Sequence, residues 1–166
     1  MGRKSIKEDK NIYFISREEN GMTREAAAEA LGCISADRIE KIENEKSSAH
    51  PDEVLIMAEV YKNPLLCNYY CSHECPIGQE YVPSVEAKEI EKITLEMLSA
   101  INTLEAEKNR LIEITVDGKV SAEEIADFKR IKEHLSQMSL TIDSLNLWID
   151  NMLATGSIDK QLYEAL

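Results

Sequence analysis

The stretch LCNYYCSHECPIG, Leu66 to Gly78, holds three of the four cysteines and one of the three histidines. Cys67, Cys71 and Cys75 repeat every four residues, with His73 between the last two. Thiolates and an imidazole are a permitted zinc set, so Cys67, Cys71, His73 and Cys75 are candidate ligands. Cys67 and Cys71 share one helix face, and Pro76 ends the local helix, leaving His73 and Cys75 on a turn that can fold back. Two features weigh the other way. Structural zinc sites pair two close ligands with a second, distant pair, whereas these four fall within nine residues. The one distant cysteine, Cys33, sits in a different turn. The simpler expectation is that Cys67 and Cys71 are small apolar residues inside a helix, with no cofactor and zinc as the possible exception. A redox or iron–sulfur reading lacks a clear fourth ligand.

No other stretch carries recognisable catalytic chemistry. There is no phosphate-cradling glycine loop, no Gly-x-Ser-x-Gly and no His-Glu-x-x-His, and the histidines are scattered. An enzyme is not expected. His134 lies between Ile131 and Leu135 on an acid-rich helix and reads as solvated. Asp117–Glu124 resembles the second half of a calcium loop, but Glu113 and Thr115 would have to be its first ligands and both fall in a helical run. It reads instead as a turn, with Ser121 and Glu124 forming a capping box for the next helix.

The chain has 166 residues, 43% hydrophobic and 30% charged, with six glycines and four prolines. Long runs free of both breakers, and only nine aromatic residues, point to an all-α fold. No apolar run approaches the ~20 residues of a membrane span, and the polar N-terminus is no secretory signal. A cytoplasmic protein with reduced cysteines is expected. The net charge is −12. Residues 1–62 carry 10 Lys+Arg against 13 Asp+Glu, and residues 63–166 carry 9 against 18, so the acid is concentrated C-terminally. Arg3, Lys4, Lys7 and Lys10 form a basic leader.

Five short helices can be placed in residues 8–72. Gly21 closes the first, Thr23 caps the second, Gly32 stops it, Ser35 caps the third, Pro51 opens the fourth and Pro64 the fifth. Arg17, Gly21-Met22-Thr23, Ala28, Leu31-Gly32, Ser35, Ile39, Lys41, Ile42-Glu43, Pro51 and Ala58 follow in the order and spacing of a known pattern. Over residues 9–70 the chain resembles the lambda-repressor-like (Xre/Cro) helix-turn-helix regulators. That resemblance implies a second helix lying across the DNA backbone and a third entering the major groove. Ser35, Ala36, Asp37 and Arg38, with Lys41 one turn later, would face base edges, and Arg38 could read guanine. Arg24, Lys46 and the first-turn N–H groups of the second helix would contact phosphate. The sequence departs from the family in two places. The interval from Leu31-Gly32 to Ile39 is one residue longer than the family's usual interval, and the glycine usual after Ile-Glu is missing in Ile42-Glu43-Asn44-Glu45. Asp37, Glu40, Glu43 and Glu45 also make the recognition segment acidic.

The second half reads as a long antiparallel helical hairpin. Ile90, Met97, Leu104 and Leu111 are seven apart, and Ile93, Ala100 and Ile114 keep the companion position, which Glu107 breaks. After Asp117-Gly118, Phe128, Leu135, Ile142 and Ile149 form one line, and Ile131, Met138, Leu145 and Met152 the other. Runs of about 33–35 residues would reach roughly 50 Å. Leu140, Leu147, Trp148 and Leu153 lie off this seam and would need a partner, which favours a homodimer. The expected organisation is a helix-turn-helix domain at 1–75, a linker at 76–83 and the hairpin at 84–166. The expected function is a dimeric DNA-binding transcriptional regulator with an effector not legible in the sequence. The alternatives are an antitoxin-like or adaptor module that binds protein rather than DNA, and a metal- or redox-responsive regulator using Cys67–Cys75.

Overall fold

A computed structural model describes residues 10–165. Of the basic leader, Arg3, Lys4 and Lys7 lie outside the described residues. The described chain is helical: α1 Ile12–Glu19, α2 Arg24–Leu31, α3 Ala36–Glu43, α4 Pro51–Val60, α5 Leu65–Tyr69, a π-helical turn Tyr70–Glu74, α6 Pro76–Tyr81, α7 Ile90–Thr115, α8 Ile125–Thr155 and α9 Lys160–Glu164. Two compact units result. One comprises the described residues up to Ser84 together with those from Asp150, and the other is Val85–Ile149.

The ends of the first helices follow from local chemistry. Asn11, Thr23 and Ser35 each accept a backbone N–H of the following turn, from Phe14, Ala26 and Arg38. Gly32 closes α2 with φ +71°, where a side chain would be strained. The extra residue between α2 and α3 is absorbed by Ile34, which turns into the core, while Cys33 faces outward. Tyr13, Ala27, Leu31, Ile39, Ile42, Val54, Met57, Tyr61 and Leu66 pack around Ile34. Burial of each large aliphatic or aromatic side chain contributes about 1.5–3 kcal/mol.

One polar pair sits inside this core. Arg17 and Glu43 are each 4% exposed. Arg17 Nε donates to Glu43 Oε1 at 2.5 Å and Nη2 to Oε2 at 3.1 Å, while Nη1 donates to the Met22 carbonyl. Burial alone would pull the Arg17 pKa down, but the hydrogen bonds and charge of Glu43 hold it above its ordinary value. Removing either partner strands a buried charge, a loss of about 3–5 kcal/mol. Glu43 is thus a structural tie between α1 and α3, not part of an acidic outer face.

The stretch expected to link the two parts carries structure of its own. Cys75 N–H bonds the Tyr70 carbonyl at 2.9 Å, the i→i+5 pattern of a π turn, and α6 then packs back on it. The contact is closest at Gly78, where an added Cβ would lie 1.9 Å from the Cys71 carbonyl oxygen.

In the second unit α7 and α8 run antiparallel, as the cross-pairs Arg110–Asp127 at 2.7 Å, Glu107–Arg130 at 2.8 Å and Glu107–His134 at 2.7 Å require. The helices are shorter than the breaker-free runs. α7 begins at Ile90, behind Glu89, and α8 begins at Ile125. Ser121 and Glu124 do pair, through both the N–H and the hydroxyl of Ser121, but as a turn ahead of the helix. Ile93, Ile114 and Ile131 are buried, as the heptads require. The companion line on α8 is not the expected one. Thr141 is buried and His134 half-buried, whereas Phe128, Leu135 and Ile142 are 40%, 41% and 41% exposed. His134 pairs across the hairpin with Glu107 at 2.7 Å while its side chain stays 38% exposed. Glu107 remains in the α7 line, where Arg130 and His134 hold its carboxyl below the usual range.

Candidate nucleic-acid interface

The segments the sequence marks for DNA contact come together on α2, α3 and the loop that follows. Ser35, Asp37 and Lys41 are exposed on α3, and Ala36 is half-buried. Lys46 stands exposed after α3. Asp37 and Lys41 form an i,i+4 pair at 2.7 Å, and Lys41 pulls the Asp37 carboxyl below its usual range. Lys46 lies 3.8 Å from Glu40. Surface pairs of this kind are worth a few tenths of a kcal/mol, so neither holds its lysine firmly.

The two arginines differ from that picture. Arg24 is half-buried and donates to Glu43 Oε2 at 2.8 Å, with Glu40 at 4.0 Å. Arg38 is held on every side. Its Nε and Nη2 reach Glu53 at 2.7 and 2.6 Å, its Nη1 reaches the Ser47 hydroxyl at 2.6 Å, and its Nη2 also reaches the Ser48 carbonyl at 2.9 Å. Glu53 in turn accepts the His50 N–H at the start of α4. A guanine would have to displace Glu53 before Arg38 could reach it. In this geometry Arg38 joins the N-terminal half of α3 to α4. The sequence does not signal this pair, because the partners are fifteen residues apart and neither belongs to a local motif.

Residues 16–66 match the family model described as helix-turn-helix. These residues form a helix-turn-helix domain of the lambda-repressor-like, Xre type. The match supports a DNA-binding regulator of that type. No curated protein and no solved structure matches the chain. Within the helix-turn-helix domain, α2 and α3 are the paired helices, and α3 stands in the position of the recognition helix of that motif.

The N-terminus of α2 carries its own anion. Glu25 sits in the first turn, its carboxyl held below the usual range by its backbone N–H and the Thr23 hydroxyl. A phosphate approaching those N–H groups meets a carboxylate already there.

The cysteine segment lies just beyond the matched residues. Cys67, Cys71 and Cys75 are half-buried free thiols, and burial pushes the Cys67 thiol pKa up. His73 stacks on Tyr69 and its Nδ1 lies 2.8 Å from the Ser72 hydroxyl. Among the described residues no three His, Cys, Asp or Glu side chains are grouped to hold a metal ion. The possible zinc set of Cys67, Cys71, His73 and Cys75 therefore does not assemble. Four residues repeating within nine give one helix face and a turn, not the converging geometry zinc needs. Nor is any described helix long and apolar enough to cross a membrane.

Proposed function

We infer that the protein is a sequence-specific DNA-binding transcriptional regulator, acting in the cytoplasm as a homodimer through its helical hairpin. The helix-turn-helix domain at residues 16–66 carries this reading. Ser35, Ala36 and Asp37 present the start of α3 to the bases, Lys41 and Lys46 meet phosphate, and Arg24 contributes a half-buried charge. Asp37 suits a cytosine amino group, which donates a hydrogen bond in the major groove. Arg38 is a positioning residue that sets the angle of α3 against α4. The dimer is supported by the apolar line Phe128, Leu135 and Ile142, one residue per heptad on α8 and each about 40% exposed. Pairing of two copies along it would present two recognition helices to paired half-sites.

Selection of bound fragments from a genomic DNA pool tests the reading. Enrichment of one sequence with two related half-sites is expected, and recovery of no sequence above background would exclude it.

A second reading rests on charge. The outer surfaces of α2 and α3 carry Glu25, Glu29, Asp37 and Glu40 against Arg24 and Lys41. A basic protein surface suits that balance, and the helix-turn-helix domain would then act as an adaptor. The same selection separates the two readings.

A further inference from the structure

Two charged side chains on α8 find no partner in their own hairpin. Between Ile125 and Ile149, Asp127, Lys129, Arg130, Glu133 and His134 each belong to an ion pair within the second unit. Lys132 and Asp143 belong to none among the described residues, although Lys132 is exposed and Asp143 half-buried. Eleven positions separate the two, close to three full turns. They therefore stand on one side of α8, within about 20° of each other and about 16 Å apart along its axis.

The same side carries the open apolar line. Phe128 precedes Lys132 by four positions and Leu135 follows it by three, the spacings of neighbours on a helix surface. Between the two charges stand Ser136 and Ser139, both exposed and small enough for another helix to approach closely. α7 completes this face. Ala100 and Thr141 border one groove between the helices, and Ile101 and Ile142 each follow by one position. In an antiparallel pair that step turns both residues to the opposite face. The pairs of Glu107 with Arg130 and His134 fix the register of the hairpin. Exposed Ile101, six positions before Glu107, is thus level with Ser136 and Leu140, six positions past those partners.

A two-fold axis midway between Lys132 and Asp143 makes this face complementary to itself. With two α8 helices antiparallel, Lys132 meets Asp143 of the second copy, and Asp143 meets the second copy's Lys132. A closed two-fold contact has this reciprocal form. Parallel helices in register would instead set lysine against lysine and aspartate against aspartate, and like charges disfavour that pairing.

We propose that a second copy of the chain occupies this face with its α8 antiparallel, the axis passing between Ser136 and Ser139 and a Lys132–Asp143 pair closing each side. The proposal rests on the dimer reading above and adds its orientation and its charge contacts. Leu135 and Ile142 then lie on either side of the axis, with Ile101 beside them, and form the apolar centre of the interface. The two ion pairs select the antiparallel arrangement over the parallel one.

Sedimentation equilibrium of the full chain and its charge-reversal variants is the test. Lys132→Glu and Asp143→Lys should each weaken self-association by about fivefold or more, and the double reversal should return it to within about twofold of the parent. Asp143→Lys is the sharper single variant. It reduces the net charge of −12 by two and so eases general repulsion, yet it should still weaken pairing. An equimolar mixture of the two single variants should associate as tightly as the parent, because each supplies the charge the other has lost. Circular dichroism checks that helicity is kept. Should Asp143→Lys lose its fold, Lys132→Glu decides, since that side chain is exposed. Reversals that leave a dimeric parent unchanged, or a double variant no tighter than the singles, would overturn the antiparallel interface while the dimer itself stands. A monomeric parent would remove both and leave the face to a different partner. No readout involves DNA, so the DNA-binding reading is judged separately.

Discussion

Arg38 and Glu53 are joined by two parallel hydrogen bonds of 2.7 and 2.6 Å, and the same guanidinium holds Ser47 and Ser48. Three segments thus meet at one side chain: the recognition helix, the loop after it and the start of α4. A fork of this shape fits a carboxylate in two-point contact, which lysine cannot reproduce.

The pair should show measurable coupling. Both side chains keep some solvent access, 23% and 14%, so screening reduces its worth below that of a buried pair. A double-mutant cycle with Arg38→Ala and Glu53→Ala should give about 1–2 kcal/mol by urea unfolding. Arg38→Lys should lose most of that coupling. Additive single effects would contradict the clamp.

Acid should loosen the same contact. Arg38 holds the Glu53 carboxyl below its usual range, and the His50 N–H adds to the effect. A carboxyl depressed in the folded state stabilises above its unfolded pKa of about 4.3, and that contribution fades as pH falls through the lower folded value. Stability should therefore drop as pH is taken below about 5. In Glu53→Gln this part of the slope should be missing, as thermal melts from pH 6 to pH 3 would reveal.

Gly78 should tolerate no side chain. A Cβ there would lie 1.9 Å from the Cys71 carbonyl oxygen, and backbone cannot yield as a side-chain tip can. Gly78→Ala should cost roughly 2–3 kcal/mol in unfolding free energy, at the upper end of overpacking penalties. Cys71→Ser should cost far less. Equal losses in the two variants would show that the thiol, not the close backbone approach, matters at this junction.

The exposed line on α8 should govern self-association. Leu135→Glu places a charge at its centre, so sedimentation should find a dimer for the parent chain and a monomer for the variant, with helicity retained. A parent chain that is monomeric at micromolar concentration would remove the hairpin from the proposed mechanism.

Some of this architecture is legible in the sequence because its causes are local. Thr23, Ser35 and Gly32 act within one turn of their own position, so residue type alone places the ends of α2 and α3. Ile93, Ile114 and Ile131 follow from apolar spacing. What escapes is settled by distant partners. Thr141 is buried in the hairpin although Phe128 and Leu135 are more apolar, and Glu107 keeps its place in the α7 line because Arg130 and His134 pair with it. Glu43 adds to an apparent acidic face until Arg17, twenty-six residues earlier, is seen to bury it. Arg38 looks like a base reader until Glu53 is placed beside it. Cys67, Cys71 and Cys75 suggest a ligand set by type, but Cys67 packs against the helix-turn-helix core, Cys71 offers its backbone to Gly78 and Cys75 caps α6.

Salt dependence of DNA binding tests the central claim most directly. With Lys41, Lys46 and Arg24 from each of two protomers, the slope of log affinity against log salt should be about −5 on the selected site. Lys41→Ala should make it shallower by roughly one to two and weaken all sequences alike, while Arg38→Ala should leave the slope unchanged. Binding insensitive to salt, or a slope untouched by Lys41→Ala, would contradict the account and leave the acidic adaptor surface as the better reading.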